Sequence, residues 1–227
     1  MTSRVICWSL IEREAGAIYF APASSLDRNQ KSRSNSGVLA CPAVLAGRQR
    51  TFVVRCPFDL RLRLVGNLDK PAVHVIDKGT SIAPEKLKGM FTLMPNADWI
   101  NPSVPVFQIT TPYIFFSEQK TYLTQRHPYG LIGSDRPHRV IEGRFPISSW
   151  KRPLSWACEW VRTENDFIMK RGEPWFDITF ETTDAAKIVK LENYAMTEKL
   201  SKEILKNSEV TGYVRGTFTL FGQENGK

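Results

Sequence analysis

The sequence is short of the residues from which catalytic and metal centres are built. It contains only three histidines, His74, His127 and His138. His74 and Asp77 stand three apart, a spacing that sends two side chains to opposite faces of a strand. No His-x-His or His-x-Asp pair with a distant third His occurs, although a metal-using jelly roll would draw on such a set. No metal and no other cofactor is therefore expected; were a metal held, His127 and His138 would be its ligands. There is no G-x-S-x-G elbow, no glycine-rich phosphate loop and no cysteine beside a histidine, so the local signatures of nucleophilic hydrolases and P-loop enzymes are missing.

The four cysteines, Cys7, Cys41, Cys56 and Cys158, form no C-x-x-C pair, which argues against a zinc ribbon and a thioredoxin-like site. They are expected to be reduced and buried as small hydrophobes. Long apolar runs are absent too. The N-terminal run ends at Glu12, Arg13 and Glu14, too early for a signal-peptide core or a membrane span, so a cytoplasmic protein without membrane insertion is expected.

What is present is a chain of 227 residues, 42% hydrophobic and 24% charged, enough to fold around a sizeable core. Lys plus Arg total 31 against 23 Asp plus Glu, a net charge of +8 that permits contact with nucleic acid, an anionic membrane face or an acidic protein. The basic residues are dispersed, and no like-charge block marks a nucleic-acid arm.

Fourteen prolines and 14 glycines divide the chain into apolar runs of strand length. The clearest is DLRLRLVG, where Leu60, Leu62 and Leu64 alternate with Arg61 and Arg63, the period of a half-buried strand with a charged outer face. Further strands are predicted at Arg4–Ile11, Ala17–Phe20, Thr51–Arg55, Ala72–Ile76, Val106–Phe116, Arg139–Phe145, Ser155–Val161, Phe167–Lys170, Trp175–Glu181 and Ile188–Glu192. The fold class that follows is mainly β, a jelly-roll-like β-sandwich or barrel. One short C-terminal helix is predicted from Met196, Leu200 and Ile204 at i, i+4 and i+8, with Asn207 as its stop. A further helical turn is predicted in PEKLKGMF. Residues 1–37 are read as an N-terminal hairpin and mobile polar loop, 38–192 as the sandwich body, and 193–227 as the helix followed by a C-terminal strand or tail.

Three of the six tryptophans fall in RVIEGRFPISSWKRPLSWACEW. On a strand from Ser155, Trp156, Cys158 and Trp160 share one face, which reads as core or subunit interface. Trp150, Lys151 and Arg152 before Pro153 read instead as a surface turn, an aromatic beside two cations able to stack a ring and hold an anion. With Arg139 they form the candidate ligand-binding set.

Two resemblances bear on function. YGLIGSDRPHRVIEGRF and the later ENDFIMKRGEPWFDITFE resemble, in order, the nucleoside hairpin and the IKRGD-like turn of trimeric deoxyuridine triphosphatases and related β-clip deaminases. Gly130, Leu131, Ile132, Ser134 and Asp135 match the first motif, and Lys170, Arg171 and Gly172 the second. Gly133 stands where that family has its catalytic Asp, the base-shielding Tyr is missing, and Trp175 and Phe176 replace Ala-Gln. That resemblance implies a nucleotide hydrolase, the alternative being a metal-dependent cupin-like enzyme. The segments CPAVLAGRQRTFVVRCPFDLRLRL, FQITTPYIFFSEQKTYLTQRHPYG and GRFPISSWKRPLSWACEW resemble an uncharacterised family encoded by tailed bacteriophages, over about residues 38–192. This implies a β-rich protein located in the host cytoplasm or the virion. A non-enzymatic protein that binds a macromolecular partner or itself is expected, and the resemblance transfers no catalytic residue.

Overall fold

The computed structural model describes residues 3–26, 38–129, 131, 136–184 and 188–208. Its chain order is β1 (Ser3–Leu10), β2 (Ala23–Ser24), α1 (Pro42–Arg48), β3 (Thr51–Arg55), β4 (Leu60–Val65), β5 (Ala72–Val75), α2 (Pro84–Met90), β6 (Phe91–Leu93) and β7 (Val106–Phe116). There follow β8 (Thr121–Arg126), β9 (His138–Val140), β10 (Gly143–Pro146), β11 (Pro153–Trp160), β12 (Phe167–Met169), β13 (Pro174–Thr182), β14 (Ile188–Asn193) and α3 (Glu198–Ser208). The protein is a mainly β, sandwich-like body with few helices.

Three sheets carry the fold. The first runs β14-β1-β7-β11-β9, with β6 added to β7; the second runs β10-β8-β13-β3-β2; a small third runs β12-β4-β5. The first two sheets share one aromatic core. Phe115 meets Phe180 with ring centres 6.0 Å apart, and Trp156 meets Trp175 at 5.3 Å. Phe167 of the third sheet caps this core against Phe107 at 5.2 Å and Trp160 at 5.6 Å. Burying one such ring stabilises by roughly 2–3 kcal/mol from removal of apolar surface alone.

Strand β7 depends on its proline. Pro112 has no N–H to donate, so a continuous ladder cannot run through it. Before it, Phe107–Ile109 pair with β6, and after it Tyr113–Phe116 pair with β1. On the other side the ladder to β11 shifts register between Ile114↔Pro153 and Thr110↔Ser155, a bulge that bends both strands.

Several expectations are corrected. The single strand expected at Arg139–Phe145 is two, because the chain leaves the first sheet after Val140 and joins the second at Gly143. One continuous segment therefore borders both sheets and closes one side of the sandwich. Among the described residues β1 pairs with no second N-terminal strand; it lies inside the large sheet, parallel to β14 and antiparallel to β7. Ala17–Phe20 is not a strand. It is an irregular segment held by the Ile18 N–H on Pro57 O at 2.7 Å, and the Tyr113 hydroxyl donates to Phe20 O at 3.0 Å. Only Cys56 and Cys158 are buried, while Cys7 is half-buried and Cys41 exposed; all four are free thiols. Burial pushes the Cys56 thiol up to about 12. Most of the polar stretch expected as a mobile loop lies outside the described residues, as does the chain after Ser208.

Helix α3 forms as its pattern requires. The Thr197 hydroxyl accepts the Leu200 N–H at 3.2 Å, a cap that satisfies one orphan donor of the first turn. Glu198 begins the helix and Lys206 lies in its last turn, both suited to the helix dipole. Leu200 and Ile204, with Met196, pack on Ile114 and Phe116, so α3 covers the outer face of the large sheet.

Candidate contact surface around the Trp150 turn and helix α3

The segment from β10 to β11 folds back on itself in a tight turn. The Trp150 N–H donates to Pro146 O at 2.9 Å, which brings the indole beside Phe145, ring centres 6.1 Å apart. Trp150 is consequently half-buried at the rim of the second sheet. The Arg152 guanidinium lies over the indole, 4.8 Å from its centre, a cation–π contact. Partial burial lowers the Arg152 pKa from its ordinary value.

Lys151 points the other way. Its Nζ donates to Glu203 of α3 at 2.6 Å and lies 5.8 Å from the centre of the Phe116 ring. Its carbonyl accepts from Asn207 Nδ2 at 3.0 Å. The three adjacent residues thus do different jobs, two forming a stack and one tying the turn to the helix. Arg139 is not brought to them. It sits on β9 with Nε on Glu159 at 2.7 Å, at the far end of β11, about 20 Å along the strand from Pro153.

Beside Lys151 a groove of about 450 Å³ opens between the outer face of the large sheet and α3. Its apolar surface comes from Val5, Phe116, Tyr194 and Leu200, and charged groups on it include Lys151, Glu118, Lys199 and Glu203. Tyr194 is 43% exposed and Val5 40%. Neither residue stands out in the sequence. Val5 alternates outward on β1, and Tyr194 lies in the irregular link between β14 and α3.

Among the described residues, the candidate base and metal-ligand side chains do not gather at one open site. His138 and His127 are neighbours, ring centres 6.1 Å apart, yet His138 is only 3% exposed. It packs on Trp156 at 5.3 Å and Phe167 at 4.8 Å, and neither ring nitrogen has a hydrogen-bond partner. Desolvation, with the Arg136 charge as a lesser cause, lowers its pKa to about 3, so it is a neutral core residue. His127 Nδ1 is 3.5 Å from the Val140 N–H, and burial lowers its pKa too. Among the described residues no group of three or more His, Cys, Asp or Glu side chains could hold a metal ion. Arg139 faces away from His138 on β9, and Glu142 lies 3.9 Å from Arg126.

Of the nucleotide-like motifs, Gly130, Ile132, Gly133, Ser134 and Asp135 lie outside the described residues. Lys170, Arg171 and Gly172 form the turn between β12 and β13. Gly172 takes φ 83, a left-handed conformation that favours glycine. The Arg171 N–H and Nη2 both go to Asp59. This turn is accordingly held by an internal carboxylate.

Part of the dispersed positive charge is engaged by carboxylates. Arg61 and Arg63, outward on β4 as their alternation predicts, both clamp Asp166, with Nε donors at 2.7 Å, and hold its carboxyl at about 2. Arg136 pairs with Glu173 and Arg144 with Glu181. The open depression of about 830 Å³ lined by Arg61, Arg63 and Arg136 therefore carries its own counter-charges.

Neither protein-family models nor curated protein sequences match this chain. Among the described residues no helix is long and apolar enough to cross a membrane.

Proposed function

We propose that this chain is a phage-encoded, non-enzymatic β-sandwich protein that acts by holding a protein partner, as a small virion component or an accessory factor in the host cytoplasm. The observation that carries this reading is the groove beside Lys151. It joins an apolar surface to charged groups of both signs, between a sheet and a capped helix that are each fixed by packing. Such a surface suits an apolar anchor flanked by polar contacts. The phage origin is supported by the resemblance over residues 38–192. Arg61, Arg63, Arg136 and Arg144 lend the nucleic-acid reading no support, because each is already bonded to a carboxylate.

The test pairs a turnover assay with a binding assay. Full-length protein incubated with nucleoside triphosphates and Mg²⁺, Mn²⁺ or Zn²⁺ is expected to release no pyrophosphate. The same protein, immobilised and exposed to extract of infected cells, is expected to retain a defined protein that the Val5→Glu, Tyr194→Ala variant does not retain. Pyrophosphate release abolished by His127→Ala or Asp135→Asn would overturn the binding reading in favour of a β-clip or cupin-like enzyme.

A further inference from the structure

The segment that closes one side of the sandwich enters the first sheet as β9 and leaves it for β10. Its hold on β11 is short. Strand β9 has three residues, bracketed by two bonds, from the Val161 N–H to Pro137 O at 2.8 Å and from the Ile141 N–H to Ala157 O at 2.9 Å. On the outer face Arg139 is tied to Glu159 of β11. On the inner face His138 enters the core and packs on Trp156 and Phe167.

The surroundings of His138 are built for a neutral ring. Neither of its nitrogens has a hydrogen-bond partner, so burial withholds what water would supply. The elements around it offer no counter-charge. A second histidine, His127, follows β8 with its ring centre 6.1 Å away, and Arg136 precedes β9. The rings that β11 and β12 set against His138, Trp156 and Phe167, are uncharged. Both nearby carboxylates are engaged, Glu173 by Arg136 and Glu159 by Arg139. A proton added to the closed structure would therefore meet cationic neighbours and no acceptor. Desolvation, with Arg136 and His127 as lesser causes, lowers the His138 pKa to about 3, and burial lowers that of His127. With β9 lifted away, both rings could take up protons near their ordinary pKa of about 6.5. The closed arrangement is thus fully favoured above pH 6.5 and loses ground as the pH falls toward 3.

We propose that residues 137–142 form an acid-opened strap, in which proton uptake by His138 and His127 lifts β9 off β11 and uncovers the Trp156 and Phe167 rings while the rest of the sandwich stays folded. The opening is local because one short ladder holds the strap, whereas β13 pairs along most of its length with both β3 and β8. The protein thereby gains an apolar surface that depends on pH. This inference is independent of the groove beside Lys151 and of any partner.

Amide hydrogen exchange on the purified full-length protein tests it, with each rate taken relative to the intrinsic rate at the same pH. The Ile141 and Val161 amides, whose bonds must break when the strap lifts, are expected to lose protection by at least about a hundredfold from pH 7.5 to pH 4.5. At pH 4.5 they should exchange at least about tenfold faster than the β3 and β13 amides, and low urea should speed only the latter, since a local opening exposes little surface. His138→Phe should cancel most of the acid loss at Ile141 and Val161. If that variant does not fold, the wild-type series still decides. Protection of Ile141 and Val161 that does not change with pH overturns the proposal. Loss that matches β3 and β13 in size and in urea dependence overturns it too, since the whole body would then be opening.

Discussion

Trp156 and Trp150 are six positions apart and face opposite fates. Trp156 lies on β11, fully buried and ringed by Phe107, His138, Phe167 and Trp175. Trp150 sits on the turn before it, half-buried between Phe145 and the Arg152 guanidinium. The strand period fixes the first, since every second residue of β11 must enter the core. The turn fixes the second, because the hydrogen bond to Pro146 O folds the indole onto the sheet rim instead of into the sandwich. The same residue type thus lies inside the sandwich in one place and at its rim in the other.

Substitution should separate the two most sharply. Trp156→Ala is expected to cost about 3–5 kcal/mol, enough to lower the urea midpoint drastically or abolish folding. Trp150→Ala should cost about 1–2 kcal/mol and leave a cooperative transition. Equal losses from the two would erase the distinction.

Acid should attack the buried region selectively. His138 has a folded pKa of about 3, below its ordinary value near 6.5, so the unfolded chain takes up a proton that the folded chain refuses. The stability tied to this neutral ring is fully present above pH 6.5 and falls as the pH drops toward 3, by about 1.4 kcal/mol per pH unit. His138→Phe should remove this slope in urea titrations between pH 4 and 7. The change should also stabilise slightly, because two buried nitrogens without partners disappear. An unchanged slope would mean that His138 is not the group responsible.

The smallest effect is expected at the turn's tie to α3. Lys151→Ala removes one partly exposed ion pair to Glu203, for a loss of no more than about 1 kcal/mol in the same urea titration. A larger loss would make Lys151 part of the structural region.

Much of the sheet architecture was legible because alternation and β-branched residues carry it, as in β4, β7, β11 and β13. Strand β8 was missed. Its TYLTQR has polar residues at Thr121, Thr124 and Gln125, yet all three are buried, since both faces of the strand are covered and no polar face remains to mark the period. Helix α1 was missed because its seven residues bury nothing and so leave no apolar stripe. The break at Ile141–Glu142 could not be read either. Ile141 instead donates its N–H to Ala157 O, a tertiary contact that turns one apparent strand into the link between two sheets. At the candidate site, the composition of the Trp150 turn was visible, but the split of Lys151 toward Glu203 was not. That ion pair spans 52 positions and depends on where α3 docks. Arg139 was grouped with the turn by nearness in sequence, which a strand about 20 Å long overrides.

The central claim is that the protein works through the surface beside α3 and not through a histidine-centred pocket. Lys151 and Lys199 line that groove, so amine cross-linking in cells that produce the protein, followed by peptide mass spectrometry, reads it directly. The account predicts cross-links from these two lysines to one other protein, lost in a folded Val5→Glu, Tyr194→Ala variant. Cross-links confined to lysines away from α3, or unchanged by that variant, would contradict it.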